Sequence, residues 1–74
     1  MTRLPIISGN QCITALRKVG YTTSHTKGSH ARLVCRNRAP VTVPLHDELD
    51  RGTLSSILRT AKISSDEFAR LLKG

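Results

Sequence analysis

The stretch that decides the fold is HTKGSHARLVCR, His25–Arg36. From His30 onward it alternates. Ala31, Leu33 and Cys35 fall on one side, and His30, Arg32, Val34 and Arg36 on the other. That period of two is the mark of a strand with one face on a core. Lys27-Gly28-Ser29 reads as a turn, because glycine and serine suit sharp backbone reversals. The residues ahead of it, Tyr21–Thr26, are β-branched and aromatic and read as a preceding strand. Asn37–Pro40 reads as a connection and Val41–Pro44 as a third short strand. Pro44 cannot donate to a ladder, so it marks a strand end or a sheet edge.

Helices flank this sheet. In SGNQCITALRKVG (Ser8–Gly20), Ser8 and Gln11 have capping-box spacing. Cys12, Leu16 and Val19, widened by Ile13, form one apolar stripe. Arg17 and Lys18 stand in the last turn, where the helix dipole favours cations, and Gly20 suits a helix end. After the loop Leu45–Gly52, a helix runs from about Thr53 to Ala61, with Leu54, Ile57, Leu58 and Ala61 on its apolar side. Lys62-Ile63 breaks it. Ser64 and Glu67 open a last helix carrying Phe68, Leu71 and Leu72. The order is α-β-β-β-α-α, an α+β domain with a three-stranded antiparallel sheet covered by helices on one face. The open face carries His30, Arg32 and Arg36.

At 74 residues the chain makes one small domain with a thin core. No apolar run approaches the length of a membrane span, and no secretion leader is read at the start. Cys12 and Cys35 lie in helical and strand patterns and read as small buried hydrophobes. They are too few for a disulfide scaffold and have no zinc-ligand spacing, which suits a reducing cytoplasm. The net charge of +7 is unevenly placed. Residues 1–46 contain no acid at all, while residues 47–74 balance five basic against five acidic side chains. A one-signed field on so small a body attracts a polyanion, with nucleic acid foremost.

Arginine offers a planar fork of donors for phosphates, and histidine can take or give a proton near neutrality. RNA brings its own nucleophile, the 2′-hydroxyl. Cleaving it requires a base, an acid for the leaving oxygen, and cations for the charge on phosphorus. His30, Lys27 and Arg32 suffice in kind; His46 could be the second acid or base but reads more readily as a capping or packing histidine, and His25 is an accessory contact at best. Gly28 provides a positive φ or a close approach for phosphate, or is a plain turn glycine. Ser29 bonds a phosphate, orients His30, or caps the turn. Asp47, Glu48 and Asp50 precede a helix, where the dipole favours acids, so no metal site is read there. From the residues alone, a histidine at a strand start is more often a structural or solvent-facing residue than a catalytic one.

Several segments together resemble the HicA-type toxins, small mRNA interferases of bacterial and archaeal toxin–antitoxin pairs. They are LPIISG, ALRKVGY, KGSH, VTVPLH and RGTLSSILRTAKISSDEF, in the family's order across residues 4–68. The resemblance implies a double-stranded-RNA-binding-like fold and RNA cleavage without a metal or other cofactor. It implies a catalytic histidine in the Gly-Ser-His element, here His30. The expected RNA contacts are then Lys27, Gly28, Ser29, Arg32 and Arg36. The implied partners are an mRNA substrate and a HicB-type antitoxin that covers His30, with no membrane involved. One departure stands out: family members often carry a second histidine after the first, and this chain has Ala31, which alternation turns toward the core.

Two other readings compete. A non-catalytic double-stranded-RNA binder would want a dense lysine cluster at the start of the helix after the sheet, where only Arg51 stands. A helix-turn-helix DNA regulator would use the last two helices, but the would-be recognition helix opens with Asp66 and Glu67, which repel phosphates.

Overall fold

Ser8 starts the first helix as its spacing predicts. Its backbone N–H donates to Gln11 Oε1 at 2.9 Å, and its hydroxyl accepts from the Gln11 N–H at 3.1 Å. The computed structural model describes residues 4–74. Within them the order is α1 (Gly9–Arg17), β1 (Thr22–Lys27), β2 (His30–Cys35), β3 (Arg38–Pro44), α2 (Arg51–Ala61) and α3 (Ser65–Lys73). This is the expected α-β-β-β-α-α arrangement. The sheet is antiparallel with strand order β1-β2-β3.

The boundaries differ in instructive places. β3 begins at Arg38 rather than Val41. Pro40 reads as a breaker, but β3 is an edge strand, and an edge tolerates a residue without an N–H. Both hairpins therefore have two-residue loops, Gly28-Ser29 and Arg36-Asn37. Gly28 has φ +58° and Ser29 does not share the positive sign, the pattern of a II′ turn with glycine first. α2 starts at Arg51, two residues early, because Asp50 caps it. Asp50 Oδ1 accepts from the Thr53 N–H at 2.7 Å, and Oδ2 accepts from the Thr53 hydroxyl at 3.0 Å. These bonds hold the Asp50 carboxyl below its ordinary pKa.

One apolar core joins the layers. The inner face of the sheet gives Ala31, Leu33, Val41 and Val43; the helices give Cys12, Leu16, Leu54, Ile57, Leu58 and Phe68. Burial pushes the Cys12 thiol up to about 12, so it stays a neutral hydrophobe. Phe68 is fully buried, which locks α3 to the domain. Truncating such a ring typically costs about 3–5 kcal/mol. Tyr21 is buried just before β1, and its hydroxyl donates to the Ala39 carbonyl at 2.7 Å. α1 packs on α3 and β3, and α2 packs on β3. β1 supplies nothing to the core; all six of its residues are exposed.

Two contacts fix the helices to the sheet. Arg38 on β3 donates from Nη1 to the Ala61 carbonyl at 2.7 Å and to the Lys62 carbonyl at 3.3 Å. A cation thus closes the C-terminus of α2, where the dipole is negative. At the other end, the Gly9 N–H donates to the His46 carbonyl at 2.9 Å. A Cβ on Gly9 would collide with the Pro44 carbonyl, so glycine lets α1 lie directly on the end of β3.

Candidate functional site

The β1–β2 register brings the candidate residues together. Lys27 pairs with His30, and His25 pairs with Arg32. Directly opposed residues share a face, with Cβ atoms about 5 Å apart. Two residues along a strand is about 7 Å. Lys27, His30, His25 and Arg32 therefore form one compact patch on the sheet face away from the helices. All four side chains are exposed.

A bulge makes this patch possible. The β1–β2 register shifts between Thr23 and His25. Simple alternation puts Thr23 beside His25 and Lys27. Instead Thr23 pairs with Leu33 on the inner side, and His25 joins Lys27 on the outer side. The irregularity turns the second half of β1 so that both of its basic-type side chains face β2's. Beyond it, Val34 is 40% exposed and extends the face as an apolar end.

β3 completes the patch. Pro44 stands opposite His30, and Thr42 stands opposite Arg32. Arg32 Nη1 reaches Thr42 Oγ1 at 3.4 Å, a long contact that leaves most of the guanidinium's donors open. Thr42 was not legible as a site residue, because cross-strand register is invisible in a single sequence. His25 Nδ1 lies 3.4 Å from the Ser24 hydroxyl. No strand carries a carboxylate, so the positive charge of the patch has no acidic neighbour within the sheet.

Gly28 and Ser29 form the loop at the edge of this patch. Nothing lies within 4 Å of where a Cβ on Gly28 would be. Its backbone needs the positive φ, and the space above it is open to a ligand. The Ser29 carbonyl accepts from the Leu45 N–H at 2.6 Å, which ties the loop to the end of β3.

Arg36, another expected member, lies apart. It leaves the strand and occupies the β2–β3 turn. Six residues of strand separate it from His30, about 20 Å. It does not share the open-face cluster. His46 sits two residues beyond Pro44, with its carbonyl bonded to Gly9. That bond places His46 where the start of α1 meets the end of β3. Asp50 is a helix cap. Lys18 donates from Nζ to the Leu71 carbonyl at 2.6 Å and clasps α1 to α3. Ala31 is buried, so the site has no second histidine at that position. Cys35 is partly buried, its thiol directed at the Val19 carbonyl 3.7 Å away. Among the described residues, no group of three or more His, Cys, Asp or Glu side chains could hold a metal ion. Among the described residues, no helix is long and apolar enough to cross a membrane.

A small α+β domain of α-β-β-β-α-α order, with an open three-stranded sheet and a basic, histidine-bearing strand face, defines the class. The family model for the HicA toxin of bacterial toxin–antitoxin systems matches residues 9–63, from α1 through α2. The chain belongs to the HicA toxin family. Among solved structures it is similar to a toxin–antitoxin complex from Streptococcus pneumoniae, with a TM-score of 0.68 and 26% identity, over 77% of this chain and 98% of that one. A search of curated proteins finds no match. α3, which buries Phe68, lies beyond the family match.

Proposed function

We propose that this toxin is a cytoplasmic endoribonuclease that cleaves mRNA with His30 as its proton-transfer group. The observation that carries this reading is the juxtaposition of an exposed histidine with Lys27 and Arg32 on an acid-free sheet face. His30 takes the proton from a ribose 2′-hydroxyl. The 2′-oxygen bonds to the adjacent phosphorus, and the bond from phosphorus to the 5′-oxygen breaks. The leaving 5′-oxygen takes up a proton, leaving a 2′,3′-cyclic phosphate and a 5′-hydroxyl. Lys27 and Arg32 balance the negative charge that builds on the phosphoryl oxygens. Gly28 and Ser29 give the strand room to approach. The nucleophile belongs to the substrate, so the reaction needs no metal to generate one.

A toxin of this kind requires masking, and the solved neighbour is a toxin–antitoxin complex. The partner in this reading is a HicB-type antitoxin that covers His30 and meets the basic face with acidic groups. The test is to incubate the purified toxin with a defined single-stranded RNA and identify the product ends. A 2′,3′-cyclic phosphate that disappears on adding antitoxin supports the reading. Products with a 3′-hydroxyl would contradict the 2′-hydroxyl chemistry.

A further inference from the structure

β1 is exposed on both sides, and the side facing the helices is not an empty flank. α1 and α2 lie on β3, so a groove of about 450 Å³ is left between α1 and β1. Its rim is Thr14 and Arg17 from α1 and Thr23 and Thr26 from β1, and its floor includes Ile13 and Ala31. Thr23 belongs to this rim only because of the β1 bulge, which separates it from His25. The groove is thus walled by hydroxyls, floored by aliphatic side chains and flanked by one guanidinium. Its volume is within the range of small-ligand sites.

Single-stranded RNA is commonly held by stacking its bases on exposed aromatic rings. This chain has no tryptophan, and its tyrosine and its phenylalanine are both buried. No tyrosine, phenylalanine or tryptophan ring is available on its surface, and the exposed His25 and His30 lie on the outer sheet face. The groove offers the alternative: an apolar floor for the flat face of a base, hydroxyls for its edge, and Arg17 for a phosphate or for stacking. It lies in the acid-free part of the chain. It is also separated from the His30 patch by only the width of β1, whose outer edge is unpaired. A second cleft, near Arg38 and Lys62, is a weaker candidate because the Arg38 guanidinium already caps α2.

We propose that the α1–β1 groove is a nucleotide subsite. One RNA strand crosses the β1 edge, with its scissile phosphate at His30 and a nearby nucleotide in the groove. This rests on the endoribonuclease reading and adds a place where base preference is set. Arg17 and the Thr26 hydroxyl are its principal contacts.

The test uses the intact protein in two arms. In the first, Arg17→Gln and Thr26→Val are compared with wild type on a long RNA and a dinucleotide. The advantage of the long RNA in kcat/KM falls about tenfold for Arg17→Gln, the scale of one lost charge-assisted bond, and it falls through KM. In the second, His30→Ala is titrated with the same RNAs while backbone amide shifts are followed. Thr14, Arg17 and Thr26 move with the long RNA and not with the dinucleotide. Wild-type discrimination in both variants, with no shift in the groove, overturns the proposal even if RNA is cleaved. Loss of antitoxin binding alone in Arg17→Gln would assign the groove to the protein partner and also overturn it. Groove shifts without cleavage by wild type would keep the subsite and reject the nuclease.

Discussion

Lys27 and His30 are directly opposed residues that close the β1–β2 hairpin, with only Gly28 and Ser29 between them. Their side chains share the outer face, at a spacing set by the sheet rather than by a flexible loop. In the proposed reaction, an ammonium so placed assists a phosphate beside the imidazole without needing to be recruited. Lys27→Met is predicted to lower kcat/KM on RNA by about 10- to 100-fold, the effect of one charge-assisted contact. Arg36→Met, about 20 Å away along β2, is predicted to change it less than threefold. Steady-state cleavage of one labelled RNA by the three proteins measures both.

The salt dependence of binding reports the same patch. Each phosphate neutralised on a single strand contributes about 0.7 to the slope of log K against log salt. Lys27→Met and Arg32→Met are each predicted to flatten that slope by about 0.7. Fluorescence titrations across a salt series check this. An unchanged slope in both would remove these residues from the RNA interface.

Gly9 predicts a stability effect far from any chemistry. A methyl there meets the Pro44 carbonyl, a backbone atom that cannot rotate away. Gly9→Ala is predicted to cost about 1–3 kcal/mol, as overpacking does. For a domain this size that lowers Tm by about 4–8 °C per kcal/mol. Gly52→Ala in α2 faces only ordinary contact with the Asp50 carboxylate and is predicted to stabilise by about 0.5–1 kcal/mol. Thermal unfolding of the two variants gives opposite signs.

Asp50 sets one limb of the acid stability curve. Its folded pKa lies below the ordinary 3.8, chiefly through the Thr53 N–H and hydroxyl. The carboxylate's contribution is therefore complete above the unfolded value. It is lost as pH falls from there through the depressed folded value. Asp50→Asn, which still caps a helix, is predicted to flatten that limb and leave neutral-pH stability nearly intact. Denaturant unfolding between pH 2 and pH 6 is the measurement.

Local signals in the sequence carried much of this architecture. The Ser8–Gln11 box, the alternation of Ala31, Leu33 and Cys35, and the stripe of Leu54, Ile57 and Leu58 each depend on neighbours a few residues away. Those elements form where they are expected. What escaped depends on residues distant in the chain. The bulge at Ser24 exists only relative to β2, so simple alternation places Thr23 on the wrong face. Arg38 caps α2 across 23 residues, and Pro40 is tolerated because β3 is an edge. The same limit shaped the site. His30, Lys27 and Arg32 are close in sequence and form a legible group. Thr42 and the Arg17 groove are assembled by register and packing, and Arg36 separates because β2 ends one residue earlier.

The central claim is that His30 moves the proton in RNA cleavage. The most direct measurement compares wild type with His30→Ala on one defined RNA in EDTA, with binding measured in parallel. The account predicts that wild type cuts without metal, while the variant binds with similar affinity and cuts at least 100-fold more slowly, the usual scale for losing a general acid or base. A His30→Ala protein that cuts at the wild-type rate would contradict it.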